Sequence, residues 1–171
     1  NSASEPMTMD PALNSAVDGA VMANHLFEGL MKWESTGEEV EGSEGSCDTA
    51  KLTYGQAESY DKTTNDDGTV TYTFHLRDGL KWSDGEDVKA GDYVYGIQRL
   101  MDPEMASDYA FIGYILKNGA EVNKGSVPVD ELGVSAPDDK TVVIELAHPA
   151  TYFLSMAAMA TFGPTRKDYV E

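Results

Sequence analysis

A mixed α/β domain, in which hairpins build a mixed sheet covered by helices, is the fold class that three patterns in this sequence predict. The first is a period of two: Val70, Tyr72, Phe74 and Leu76 alternate with Thr71, Thr73, His75 and Arg77. The second is the same period at Val142, Ile144 and Leu146, which alternate with Thr141, Val143 and Glu145. The third lies between them, where Tyr93, Val94, Ile97, Leu100 and Met101 form one face of a helix over about Ala90 to Met101. Hairpins interleaved with helices favour a mixed sheet over a purely parallel one.

The remaining elements follow in chain order. Residues up to Val17 read as extended, punctuated by Asp10-Pro11. A helix comes next, with Ala23, Leu26, Phe27, Leu30 and Met31 on one face and Gly29 near its end. Asn14, Ser15 and Asp18 are its candidate caps. Ser35 to Asp48 is rich in Glu, Gly and Ser and predicts a solvated loop or hairpin. Asn65-Asp-Asp-Gly68 is a turn that joins a strand near Gln56–Asp61 to the Val70–Leu76 strand, antiparallel. Two Asp-Gly turns bracket Leu80 and Trp82. Asp102-Pro103 stops the second helix. Ser107 to Ala120 predicts a further helix, weakened by Gly113. A second hairpin turns at Pro137-Asp-Asp139. Thr151 to Thr161 is helix-like through Phe153, Met156, Ala157 and Ala160, and Pro164 ends it.

Composition excludes several classes. The 171 residues suffice for one substantial domain, and 41% hydrophobic with 9% aromatic residues marks a chain that folds. Thirty acidic residues against 12 basic ones give a net charge of −18, which repels nucleic-acid phosphates and anionic lipid headgroups alike. No apolar run approaches the roughly 18 residues of a membrane helix. The opening Asn1-Ser-Ala-Ser-Glu-Pro6 carries no basic or apolar signal region. That leaves a cytosolic protein, or one whose leader precedes this sequence. Cys47 is the only cysteine, so no intrachain disulfide forms. No apolar stretch precedes it, as lipidation would need, and it reads as a surface thiol.

Catalytic chemistry is not announced. His25, His75 and His148 lie too far apart in sequence for zinc-ligand spacing, and His75 falls on the outward face of its strand. There is no nucleophile elbow and no phosphate loop. Placing Gly68 at the sixth position of a calcium loop puts Thr63 first and Phe74 twelfth, where acids are required. Glu38, Glu39, Glu41, Glu44 and Asp48 are numerous enough for a calcium site but lack ligand spacing. Thirty acids make chance carboxylate pairs certain, so no glycosidase dyad is read from them. Tyr93, Tyr95, Tyr109 and Tyr114 have faces that stack on sugars or bases, but core packing is the more economical account. The residues alone therefore describe an acidic α/β-type domain with no catalysis, metal or cofactor of its own.

Several consecutive segments resemble the family 5 extracellular solute-binding proteins, and the oligopeptide-binding branch best. Met9-Asp-Pro11 is similar to an early Leu-Asp-Pro element, and His25-Leu-Phe-Glu-Gly-Leu30 to the family's LFEGL helix. Gly55-Gln-Ala-Glu-Ser-Tyr60 resembles the GxAESW/Y strand. Tyr72 to Gly85 resembles the TFHLRxxxKWSDG signature almost residue for residue. Asp92-Tyr-Val-Tyr95 with Gln98-Arg99 resembles DFVYSWQR, and Asp102-Pro103, Ala106-Ser107 and Tyr109-Ala110 resemble DPxxASxYA. Leu132-Gly-Val134, Asp138-Asp139 and Pro149 with Tyr152-Phe153 continue the order. Two departures stand out. Thr36 to Leu52 is longer and more acidic than the family's connection, and Ser15 stands where some members have an acid near the ligand.

The resemblance implies a type II periplasmic-binding-protein-like fold and a chain shorter than the whole protein. Residues 1–30 would be the first strand and helix of the main lobe, 31–164 the family's extra domain, and 165–171 a return to the main lobe, with the distal lobe absent. It implies an extracytoplasmic subunit, at the cell surface as a lipoprotein or in the periplasm, that captures oligopeptides for an ABC importer and is not an enzyme. Its partners would be peptides and the permease subunits, as a monomer, with a membrane reached only through a lipid anchor outside this sequence. A peptide's backbone would pair with an exposed strand edge, for which Ser15, Ala16 and Val17 are the candidates. Tyr109 would be a pocket wall, with packing at a helix start as its alternative. Trp82 and Asp84 would be structural, as an aromatic plug and a turn or cap. Nickel chelates, haem, glycans and glycosidase chemistry are the alternatives.

Overall fold

The computed structural model describes residues 5–41 and 47–171. Its centre is a four-stranded sheet built from β3 (Ala57–Thr64), β4 (Val70–Leu76), β5 (Val134–Asp138) and β6 (Thr141–Leu146) in the order β3-β4-β6-β5. Every pairing in it is antiparallel, where a mixed sheet was expected. The reason is connectivity: both strand pairs are hairpins, and the helical crossover between β4 and β5 returns the chain opposite in direction to its new neighbour β6. The β3–β4 pairing follows the expectation from the Asp-Gly turn, with Tyr60 opposite Phe74 and Lys62 opposite Tyr72. Gly68 sits in that turn at φ 85°, a conformation glycine adopts without penalty.

Alternation decides which face is buried. Val70, Tyr72, Phe74 and Leu76 of β4, and Val142, Ile144 and Leu146 of β6, are all buried. Phe153 closes this face, its ring 4.8 Å from that of Tyr72. The covering helix is α2 (Ala90–Met101), which buries Tyr93, Ile97, Leu100 and Met101 as its spacing predicts. Its start is tied to the β5–β6 turn by the Ala90 amide, which donates to the Asp139 carbonyl at 2.9 Å. Gly96 lets the backbone at Gly163 approach, since a Cβ there would lie 2.6 Å from the Gly163 oxygen.

Elsewhere the structure departs from the sequence reading. α1 covers Val17–Leu26 and stops before Leu30 and Met31. Those two residues are buried by backbone pairing instead: Leu30 accepts from the amides of Gly55 and Ala57, and the Met31 amide donates to Ala157. None of the three candidate residues caps α1 through its side chain; Ala16 is the N-cap. Of the segment expected to be a solvated loop or hairpin, Ser35–Glu39 and Asp48 do lie in a hairpin of β1 (Met31–Glu39) and β2 (Asp48–Tyr54), and residues 42–46 lie outside the described residues. No strand forms within residues 5–30, where an extended segment was expected ahead of the helix: none of them is paired in a ladder with a described strand. In place of the helix expected over Ser107–Ala120 there is a 3-10 turn, Ala110–Ile115, and a short helix α3 (Gly119–Asn123). Here Gly113 packs against Met101, where a Cβ would come within 2.2 Å of its sulfur. Thr151–Thr161 is likewise broken, into α4 (Phe153–Met156) and a 3-10 turn at Ala160–Phe162. A last short helix, α5, covers Lys167–Val170.

The His25 ring bonds the Val21 carbonyl within α1, and His75 faces Asp61 across β3–β4 at 3.1 Å. Among the described residues no cluster of His, Cys, Asp or Glu could hold a metal. Glu38, Glu39, Glu41 and Asp48 are exposed, and Glu44 lies outside the described residues. Cys47 is exposed. No described helix is long and apolar enough to cross a membrane.

Candidate functional site

Two long-range ties hold the segment ahead of α1 against the body. Asp10 receives both terminal nitrogens of Arg99, at 2.8 Å and 2.7 Å, while its Oδ1 also accepts from the Ala12 amide at 3.0 Å. Burial pushes the Asp10 carboxyl up, but the Arg99 guanidinium and the Ala12 amide outweigh it and leave it below its ordinary value. The second tie runs from the Ser107 hydroxyl to the Ala12 carbonyl at 2.5 Å. Ser107 also accepts from the Tyr109 amide at 3.3 Å. One hydroxyl therefore joins the segment carrying Ser15–Val17 to the segment carrying Tyr109.

Ser15, Ala16 and Val17 are all exposed, Val17 by 80%. The Asn14 amide folds over them: its Nδ2 donates to the Ala16 carbonyl at 3.1 Å and its Oδ1 accepts from the Ala16 amide at 3.4 Å. Asn14 thus competes for the backbone groups of Ala16. Tyr109 stands at the start of the 3-10 turn, where packing alone would place an aromatic. Its ring nevertheless stays 36% exposed and touches only one described ring, Phe111, at 5.7 Å between centroids.

A separate cavity of about 310 Å³ lies between Met9–Pro11, Phe27, the Trp82–Asp84 turn, Arg99 and α5. Its charges are already matched. Arg166 grips Asp84 and Asp168, the Tyr169 hydroxyl donates to Asp84 at 3.0 Å, and Arg99 holds Asp10. The Trp82 indole donates to Asp92 at 3.0 Å, and the same carboxylate accepts from the Lys89 amide at the start of α2. Asp84 accepts from the Glu86 amide two residues on, which closes the turn. Trp82 and Asp84 are therefore structural, as expected: they lock the signature turn to α2 and to the last residues of the chain.

Comparisons with known proteins bear on the family and the fold. The family model for bacterial extracellular solute-binding proteins, family 5, matches residues 51–170. The chain belongs to this family. The oligopeptide-binding protein OppA of Bacillus subtilis is 35% identical over 100% of the chain, and a probable deoxycholate-binding periplasmic protein of Escherichia coli, YgiS, is 37% identical over 96%. In both cases the chain spans 28% of the relative's length. The structure of Haemophilus influenzae OppA in complex with RPPGFSPFR superposes with a TM-score of 0.83, at 33% identity, over 99% of this chain and 30% of that one. The fold class is thus that of the corresponding part of these substrate-binding proteins.

Sequence reasoning missed the anchors of the site. Asp10 was legible as punctuation before Pro11 and, like Arg99, as part of a motif, but not as its partner. A bidentate pair between residues 89 positions apart has no local signal.

Proposed function

We propose that the chain forms one wall of the ligand site in an extracytoplasmic substrate-binding subunit of an ABC importer, and that the ligand is an oligopeptide. The observation that carries this is that the Ser107 hydroxyl, which donates to the Ala12 carbonyl and accepts from the Tyr109 amide, ties the chain just ahead of the exposed segment Ser15–Val17 to the residue carrying the exposed Tyr109 ring. An accessible backbone edge beside a side-chain wall suits extended peptides, because main-chain pairing ignores sequence while the pocket reads it. The Ala16 carbonyl is held by the Ala20 amide at the start of α1 as well as by Asn14, and Val17 is the first residue of that helix, so Ser15 is the first group an extended peptide would meet. Residues 1–30 and 165–171 belong to a main lobe in this reading, and 31–164 to an extra domain. Capture needs no catalysis, and delivery to the permease needs only lobe closure about a hinge.

A second reading is a steroid-like or other solute in the same fold, favoured by the 37% identity to YgiS. Titration calorimetry of a protein of the relatives' full length, carrying this chain, separates the two. Heat of binding with a tri- to pentapeptide pool and none with deoxycholate is the expected result. Binding of deoxycholate without any peptide response would replace the first reading with the second.

A further inference from the structure

We infer that the cavity beside Phe111 is a subsite for an uncharged, bulky side chain, aromatic or branched aliphatic, of a bound peptide. This rests on the peptide-binding reading above and specifies what that site selects.

The cavity arises where the chain after β6 runs against the 3-10 turn. The Ala147 amide donates to the Ile115 carbonyl at 2.9 Å, and Leu116 bridges Leu146. These bonds hold Tyr152 and Met156 opposite Phe111, Ile112, Tyr114 and Ile115, around about 400 Å³. That volume falls within the range of small-molecule pockets and exceeds what a single side chain needs. Three of the lining rings are exposed: Phe111 by 58%, Tyr152 by 57% and Tyr114 by 41%. An apolar surface left in water at several adjacent rings marks a place where something apolar binds. The walls are ordered in advance, since the Tyr114 hydroxyl donates to Asn123 at 2.8 Å.

Two observations choose the occupant. First, Phe111 belongs to both places: its ring lines the cavity and contacts Tyr109. A residue of a peptide passing Tyr109 therefore has the cavity mouth next to it. Second, a quarter of the chain is charged, yet among the described residues no Lys, Arg, Asp or Glu lines this cavity, and His148 is its one titratable group besides the tyrosines. A charged side chain entering would shed water and find no partner, whereas an apolar one gains by leaving water.

The test uses the 171-residue chain and two small probes, N-acetyl-phenylalaninamide and N-acetyl-lysinamide, followed by backbone amide NMR. The phenylalanine probe should give saturable shifts at Phe111, Ile112, Ile115 and Tyr152, and the lysine probe none there. Tyr152→Ala and Phe111→Ala, both at exposed rings, should each weaken the phenylalanine probe about tenfold while leaving the rest of the spectrum in place. Acetyl-Ala-Phe-Ala-amide should shift the same residues together with Tyr109. Equal response to both probes, or no saturable response, overturns the subsite without touching the peptide reading, which has its own calorimetric test. A response to the phenylalanine probe but none to the tripeptide overturns the assignment to peptides.

Discussion

Replacing Arg99 with leucine tests the anchor on which the site's geometry depends. Arg99 is about 10% exposed at its side chain and Asp10 about 25%, so the pair is largely but not fully withdrawn from water. A leucine at this position would keep much of the apolar packing and leave the Asp10 carboxylate without the guanidinium, with the Ala12 amide still donating to it. Breaking a fully buried pair costs about 3–5 kcal/mol, and an exposed pair is worth about 0–1 kcal/mol. An intermediate cost of about 2 kcal/mol follows for this intermediate burial. With a urea m-value of about 2 kcal/mol/M, the unfolding midpoint should fall by about 1 M, read from the fluorescence of Trp33 and Trp82. The pH dependence has a definite sign. A carboxyl whose folded pKa lies below its unfolded value of about 3.8 contributes its stability above that value and loses it as pH falls through the lower, folded pKa. The difference between wild type and Arg99→Leu should therefore be full at pH 7 and shrink below about pH 4. A midpoint shift under about 0.3 M at pH 7, or one that persists unchanged at about pH 2, would refute the anchor.

Three further outcomes are expected. Gly119→Ala should destabilise the fold by about 1–3 kcal/mol in thermal melts, because the new Cβ would lie 2.2 Å from the Gly113 carbonyl oxygen, whereas Gly91→Ala, in open space on α2, should stabilise it by about 0.4–1 kcal/mol; the reverse order would contradict the packing described. Phe153→Ala should cost about 3–5 kcal/mol, since its ring is fully buried against Tyr72 and Phe74, and a cost below about 1 kcal/mol would mean the sheet closes without it. The 171-residue chain by itself should bind tri- to pentapeptides only in the millimolar range, about −4 kcal/mol, because a peptide held on one wall loses its conformational freedom without gaining both sets of partners; micromolar binding would show that this surface carries the whole site.

The sheet and α2 were legible because one face of each is buried against the same core. Period two at Val70–Leu76 and Val142–Leu146, and helical spacing at Tyr93–Met101, each identify a single buried face, and tertiary packing keeps it. The failures share a different cause. Leu30 and Met31 fit the helical face of α1 by spacing, yet their backbones pair with Gly55, Ala57 and Ala157, and that pairing wins. Residues 107–120 are interrupted by Gly113, whose close contact with Met101 accompanies a break into turns, and residues 151–161 keep only Phe153–Met156 as helix although Phe153, Met156, Ala157 and Ala160 have helical spacing. The candidate site was less legible still. Ser15–Val17 carry no pattern of their own and came from resemblance alone, and Phe111 and Tyr152 count as core residues to any reading that scores apolar spacing.

That contrast has a physical origin in how the site is supported. Residues 5–16 make no strand pairing, so their position rests on two side-chain ties, Arg99 to Asp10 and Ser107 to Ala12, rather than on a ladder. Both ties reach back to elements fixed by the core: Arg99 to α2 and Ser107 to the loop that follows it. Moving the end of α2 would move the backbone edge and the Tyr109 ring together, because Ser107 joins them. Under the peptide-binding proposal, this shared hydroxyl would keep the chain ahead of Ser15–Val17 and the Tyr109 segment in register with each other.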